Sequence, residues 1–227
     1  MTQLGWEGAH NVRPLRHGAI VRGGSLDRMT PRGWASALEY GVRTVIDLRN
    51  PDEYAPDQSA APDGITRLRI PLDQKHDRAF WNRWDSGPEF GTPMYYGPHL
   101  ERFPEANAAV VASIANAAPG SVVFHCGAGR DRAGQIAMLV LAVLGASAEE
   151  IAADYALSYG HNDDDATLRS FLAERGTTAE AELTRLLREV DVLDVLRRGG
   201  ATDADFAALR RRCAHETPDR SAQLGLA

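Results

Sequence analysis

The chain has 227 residues, 44% hydrophobic and 25% charged, which is enough apolar material for a buried core and excludes disorder throughout. A formal net charge of −6 argues against nucleic-acid or anionic-membrane binding, because both need a basic face; any phosphate binding must be local. The longest apolar run, Ile136 to Leu144, is less than half of the roughly 20 residues that span a bilayer, so no integral membrane segment is expected.

Met1 to His10 lack the apolar core of a secretory signal, so Cys126 and Cys213 are expected to stay reduced in the cytoplasm, with a non-classical route of secretion as the alternative. Length gives a prior of one domain over residues 1–214, followed by a tail at 215–227 that has Pro, Ser and Gly without periodicity.

In chain order, short β-branched and aliphatic runs at Ala19 to Val21, Val42 to Leu48, Ile65 to Ile70 and Val122 to His125 read as strands. Between the first two lies a helix with Thr30 as its cap, Pro31 in its first turn and Gly41 at its close. A second helix is expected over Pro104 to Ala117 and a third over Ala133 to Leu144, apolar nearly all round and therefore buried.

Residues 147–213 read as added helices, with capping boxes at Ser147 (Glu150), Thr177 (Glu180) and Thr202 (Asp205). Residues 75–97 hold Phe80, Trp81, Trp84, Phe90, Tyr95 and Tyr96 among Gly and Pro. They fit a long aromatic loop or lid, or aromatics packed under a loop. Strands alternating with helices predict an α/β fold: a mixed or mostly parallel sheet of about four to five strands flanked by helices, with ligands at the carboxyl ends of the strands.

The candidate loop stands at such an end. Residues 121–134 run from a buried strand into Cys126, then through the small residues Gly127, Ala128 and Gly129 to Arg130, Asp131 and Arg132, where a helix begins. Such a loop can turn its N–H groups inward as an anion nest, and the helix adds the positive end of its dipole. The same field lowers a thiol pKa from about 8.5 to roughly 3.5–7.5, which makes Cys126 a candidate thiolate. Arg132 offers a planar fork for two phosphate oxygens.

Cys126 to Arg132 matches the signature of the cysteine-dependent tyrosine phosphatase superfamily: Cys, any five residues, Arg. The segment His125-Cys126-Gly127-Ala128-Gly129-Arg130-Asp131-Arg132-Ala133-Gly134 resembles more closely the bacterial tyrosine-specific and dual-specificity phosphatases whose loop is lipid-phosphatase-like. The likeness runs from about Val12 to Ser158 and takes in Val42 to Arg49 with Glu53, the Pro71-Leu72-Asp73 turn, and Ile151 with Asp154 to Ser158.

The resemblance implies a phosphomonoester hydrolase in which Cys126 forms a phosphocysteine and Arg132 and the loop amides of Gly127 to Arg132 hold the phosphate oxygens. Asp131 is the favoured general acid, with Asp73 and Asp85 as rivals. No metal or cofactor is implied, since His125-Cys126 supplies at most two ligands. The substrate would be a phosphorylated protein, at tyrosine or with dual specificity, or a phosphoinositide. Arg130 and Arg132 suit either, and oligomeric state is not legible.

Two residues depart from the group's pattern. Arg130 replaces Lys, and Ala133 replaces the hydroxyl residue that in the superfamily hydrogen-bonds the cysteine sulfur; its loss should raise the thiol pKa and slow phosphocysteine breakdown. Ala133 thereby keeps open a second function, a pseudophosphatase that binds phosphorylated ligands. Sulfur transfer on a rhodanese-like scaffold also uses a loop cysteine, but the Cys-to-Arg spacing counts against it.

Other polar residues read as structural. His125 positions the loop, and Asp47, Arg49 and Glu53 form an ion-pair network behind it. Asp163 to Asp165 are a solvated run or a helix cap, and Cys213 is structural or incidental.

Overall fold

A computed structural model describes residues 3–16, 18–54, 61–85 and 87–214. The expected tail at 215–227 lies outside the described residues. The sheet has five strands: β1 (Arg13–Pro14), β2 (Ile20–Gly23), β3 (Val42–Asp47), β4 (Thr66–Arg69) and β5 (Ser121–His125). Their order is β1-β2-β5-β3-β4, with β2, β5, β3 and β4 parallel and β1 antiparallel to β2. β1 was not expected. It is two residues long and includes a proline, which confines it to a sheet edge and hides it from any pattern of alternation.

The helices are α1 (Pro31–Tyr40), α2 (Arg78–Trp84), α3 (Tyr96–Arg102), α4 (Pro104–Asn116), α5 (Arg132–Val143), α6 (Ala148–Ala156), α7 (Asp165–Glu174), α8 (Ala179–Glu189), α9 (Val192–Arg198) and α10 (Asp203–Ala214). Alternation along each strand divides the core between the two faces of the sheet. Ile20, Ile46, Val122 and Phe124 face α4, α5 and the C-terminal helices, while Val21, Val45 and Val123 face Trp34 and Ala37 of α1. α5 is buried along nearly its whole length, as its apolar circumference requires.

The caps follow local chemistry. Thr30 accepts from the Gly33 N–H, and Gly41 closes α1 at φ 97° in the left-handed region. The boxes at Ser147 with Glu150 and at Thr202 with Asp205 form. At the third site the cap is Thr178, which accepts from Ala181 N–H, whereas Thr177 donates its hydroxyl to Glu182. Two adjacent threonines offer the same cap one residue apart, and packing of the helix selects between them.

Residues 75–97 are not one long loop. They contain α2, a 3-10 turn at Pro93–Tyr95 and the start of α3. Trp81, Tyr95 and Tyr96 are buried in the main core, and Trp81 stacks on Phe103 with ring centroids 6.3 Å apart. Among the described residues no helix is long and apolar enough to cross a membrane.

Candidate active site

Cys126 stands where the central strand β5 ends, almost wholly buried, and the chain turns through residues 127–131 into α5. Each backbone carbonyl of the turn has a donor outside it. His125 Nδ1 donates to Cys126 O at 3.3 Å, Ser25 N to Gly127 O at 2.8 Å and Asn11 Nδ2 to Ala128 O at 3.2 Å. Arg22 donates to Gly129 O at 2.7 Å and to Arg130 O at 3.3 Å, and the Tyr96 hydroxyl donates to Asp131 O at 2.7 Å.

In a trans peptide the N–H lies opposite its carbonyl, so anchoring these carbonyls outward leaves the N–H groups of Gly127 to Arg132 on the other side. The Gly129 N–H is seen there, donating to Cys126 Sγ at 3.3 Å. Gly129 has φ 74°, and a Cβ on it would come within 2.5 Å of Gly24 N, so the position demands glycine on two counts.

Arg132 begins α5. Its two terminal nitrogens reach Glu53 Oε2 at 2.5 Å and Oε1 at 2.6 Å, a bidentate pair, and one of them is 3.4 Å from Asp73 Oδ2. Glu53 is held by the backbone N–H of Asn50 at 2.8 Å, and Asn50 Nδ2 donates to Asp73 at 2.9 Å. Glu53 therefore belongs to the site and not, as expected, to the network behind it. Asp47 and Arg49 do form that network: Arg49 bridges Asp47 and Asp27, with its Nη2 2.8 Å from Asp47 Oδ2. Burial lowers the pKa of His125, so its ring is neutral while it holds the Cys126 carbonyl.

Two of the three candidate acids meet at Arg132. Asp131 is buried, accepts from the Tyr95 hydroxyl at 2.7 Å and leaves its Oδ1 without a protein partner. Burial, assisted by the charge of Asp73 and opposed by Tyr95 and Arg132, pushes its carboxyl up to about 6. Burial also raises the Asp73 carboxyl, against the pull of Arg132, and Asp73 Oδ1 likewise lacks a partner. Asp85 is elsewhere: half exposed at the end of α2, it pairs with Lys75 at 2.9 Å.

Arg130 was expected to bind substrate as one of the loop's two cations. It is buried, and its guanidinium pairs with Asp164, at 3.0 and 2.8 Å, and with Asp165. Asp164 and Asp165 are thus neither merely solvated nor merely a cap, while Asp163 is exposed. Asp165 also accepts the N–H groups of Gly160, His161 and Asn162, which orients it toward Arg130. Nothing in local sequence joins positions 130 and 164; the fold brings them together.

Sequence reasoning also missed Asn11, Arg13 and Arg22. The available signal was an arginine inside the otherwise apolar strand Ile20–Gly23, since a charge in a strand flanked on both sides has to find a partner. Ala133 is fully buried. Cys213 is buried in α10, which pushes its thiol up to about 11 and keeps it protonated. Among the described residues no group of three or more His, Cys, Asp or Glu could hold a metal.

The chain is similar to a tyrosine-protein phosphatase of Nostoc commune, 34% identical over 145 residues that cover 62% of this chain and 48% of that protein. It is also similar to the triple specificity protein phosphatase PtpB of Mycobacterium tuberculosis, 29% identical over 73% of this chain and 69% of the relative. A putative tyrosine-protein phosphatase of Cupriavidus necator is 27% identical, over 66% and 56%. The chain thus spans about half to two thirds of these relatives' lengths. The model of the tyrosine phosphatase family matches residues 4–213, which takes in the loop, both carboxylates beside Arg132 and the helices packed behind them; the chain belongs to that family.

Proposed function

We propose that the chain is a phosphomonoester hydrolase, a protein tyrosine or dual-specificity phosphatase that works through a phosphocysteine on Cys126. The observation that supports this most directly is the geometry of the loop after Cys126, which reads as a phosphate-binding P-loop: its carbonyls are tied outward and the Gly129 N–H points at the Cys126 sulfur.

In the first step Cys126 Sγ attacks phosphorus, the S–P bond forms and the P–O bond to the leaving group breaks. The amides of Gly127 to Arg132 receive the charge on the equatorial oxygens, preorganised donors of the kind that usually contribute most to catalysis. Asp131, with a carboxyl near 6, gives its proton to the leaving oxygen. In the second step Asp131 takes a proton from water, the water oxygen attacks phosphorus, and the S–P bond breaks to release phosphate and the thiolate. Arg132, held by Glu53, is oriented for a phosphate fork.

The pairing of Arg130 with Asp164 and Asp165 favours a singly phosphorylated substrate, because the loop's second cation is already neutralised. We therefore rank a phosphorylated protein above a phosphoinositide. The two free cysteines agree with a reducing, cytoplasmic setting. The test is hydrolysis of an aryl phosphate by the wild type and by Cys126→Ser, with vanadate as competitor. Turnover that vanadate blocks and Cys126→Ser abolishes is expected. Vanadate binding without turnover would instead establish a phosphate-binding module.

A further inference from the structure

β1 and β2 place two arginines side by side, Arg13 opposite Arg22 in register, and both side chains are fully buried. One carboxylate serves both. Asp154 of α6 is 2.9 Å from Arg13 Nε and 2.5 Å from Arg22 Nη1. Arg13 also donates to Asp154 O, to Ser158 Oγ at 2.9 Å and to Asn11 Oδ1. Arg22 donates to Ser158 Oγ at 3.2 Å and, through Nη2, to the carbonyls of Gly129 and Arg130. The hydroxyls of Tyr96 and Tyr155 are the other titratable groups beside Arg22, and burial holds both neutral.

Two buried cations thus share one anion. Burial, and then the charge of Arg22, lowers Arg13 to about 10, which leaves its guanidinium charged at neutral pH. The balance of positive charge is shared among neutral acceptors: Asn11 Oδ1, Asp154 O and Ser158 Oγ, and, from Arg22, the two carbonyls of the loop. A charged donor on a carbonyl polarises the peptide unit and strengthens the N–H at its other end. For these carbonyls, the N–H groups are those of Arg130 and Asp131.

We infer that Arg22 is a positioning residue for the phosphate loop, fixing the Gly129 and Arg130 peptide units with N–H groups toward the anion and strengthening those donors by its buried charge. This support reaches Cys126 through the backbone and offsets part of what is lost with Ala133 in place of a hydroxyl. Asn11 fixes the preceding unit without charge. It sits at φ 53°, a left-handed conformation in which its side chain reaches Ala128 O. The inference rests on the reading of this loop as a phosphate site.

Charged groups also face Cys126 and its loop from other elements: Arg132 with Glu53 and Asp73, Asp131, His125 with Asp47 and Arg49, and Arg130 with Asp164 and Asp165. None of them changes in the variants proposed, so a shift between variants reports position 22 or 11.

The test is the thiol pKa of Cys126, from the pH dependence of its alkylation by iodoacetamide in a Cys213→Ser background, together with kcat for an aryl phosphate. Arg22→Gln keeps a donor but removes the charge, and we expect the thiol pKa to rise by about one unit and kcat to fall at least tenfold. Arg22→Lys keeps the charge without the fork; its thiol pKa should match wild type while kcat falls. Asn11→Gly, which suits the left-handed backbone, frees the Ala128 carbonyl of the peptide unit whose Gly129 N–H donates to Cys126 Sγ, so it should lower kcat and raise the thiol pKa by less than Arg22→Gln does.

A folded Arg22→Gln protein with the wild-type thiol pKa would overturn the inference, as would Arg22→Lys shifting it as far as Gln does. If Arg22→Gln does not fold, Arg22→Lys decides: a wild-type thiol pKa with lowered kcat supports the inference, and a raised one refutes it. Alkylation needs no turnover, so it stays informative even if the phosphatase reading fails in the vanadate experiment.

Discussion

Replacing Asp131 with Asn tests the acid through two independent quantities. The folded carboxyl is raised from 3.8 to about 6, mainly by burial. A carboxyl raised on folding keeps its proton in the native state where the unfolded chain has lost it, so its contribution to stability is present below about pH 4 and is lost as pH rises through about 6. At 1.36 kcal/mol per unit, the ionised group costs the native state about 3 kcal/mol above that window. Asn is a neutral isostere that can still accept from the Tyr95 hydroxyl. The variant should therefore be more stable than wild type at pH 7.5, by about 6–12 °C in Tm for a chain of this size, and close to it at pH 4. Only the difference between the two proteins isolates this group, because Asp27, Asp47 and Asp154, lowered by arginines, give wild type the opposite slope at low pH.

Activity supplies the second readout. Asp131 must be protonated to serve as acid, so wild-type kcat/KM should fall on the alkaline side with a midpoint near 6, and Asn should remove that limb along with 10²–10⁴-fold of the rate. An equal Tm difference at both pH values would refute the burial account. An alkaline limb that survives in the Asn variant would assign the proton to Asp73, whose carboxyl is also raised beside Arg132.

Glu53→Gln should lower kcat/KM for an aryl phosphate roughly tenfold, because Arg132 loses a bidentate charged partner worth about 1.5–3 kcal/mol, discounted for a carboxylate one-third exposed; an unchanged kcat/KM would show that Arg132 needs no such support. Gly129→Ala combines left-handed strain of about 1–2 kcal/mol with a 2.5 Å approach to Gly24 N, so both the urea midpoint and vanadate affinity should fall, and a wild-type midpoint would contradict the loop geometry. Ala133→Thr should lower the Cys126 thiol pKa and speed phosphocysteine hydrolysis in a rapid-quench measurement. Asp85→Asn, which alters only an exposed pair with Lys75, should leave kcat within twofold of wild type, and a larger loss would return that residue to the site.

The sequence alone determined the elements whose causes are local. The parallel strands show as β-branched runs, Thr30 and Gly41 bracket α1, and the apolar circumference of α5 foretells its burial. The chemistry of residues 125–132 was legible for the same reason, since a strand end, small residues and an arginine at fixed spacing act on one another within a few residues. The tertiary structure alone decided which polar groups converge on that loop. Arg22 and Asp154 lie 132 positions apart, Arg132 and Glu53 79, and Arg130 and Asp165 35. Among the three candidate acids, the fold buried Asp131 and Asp73 beside Arg132 and left Asp85 in water. The aromatic segment followed the same rule, its rings filling a core that sequence spacing does not reveal. Partners so distant are chosen by the packing of helices on a sheet, and burial, which sets the charge each group can keep, exists only once that packing is complete.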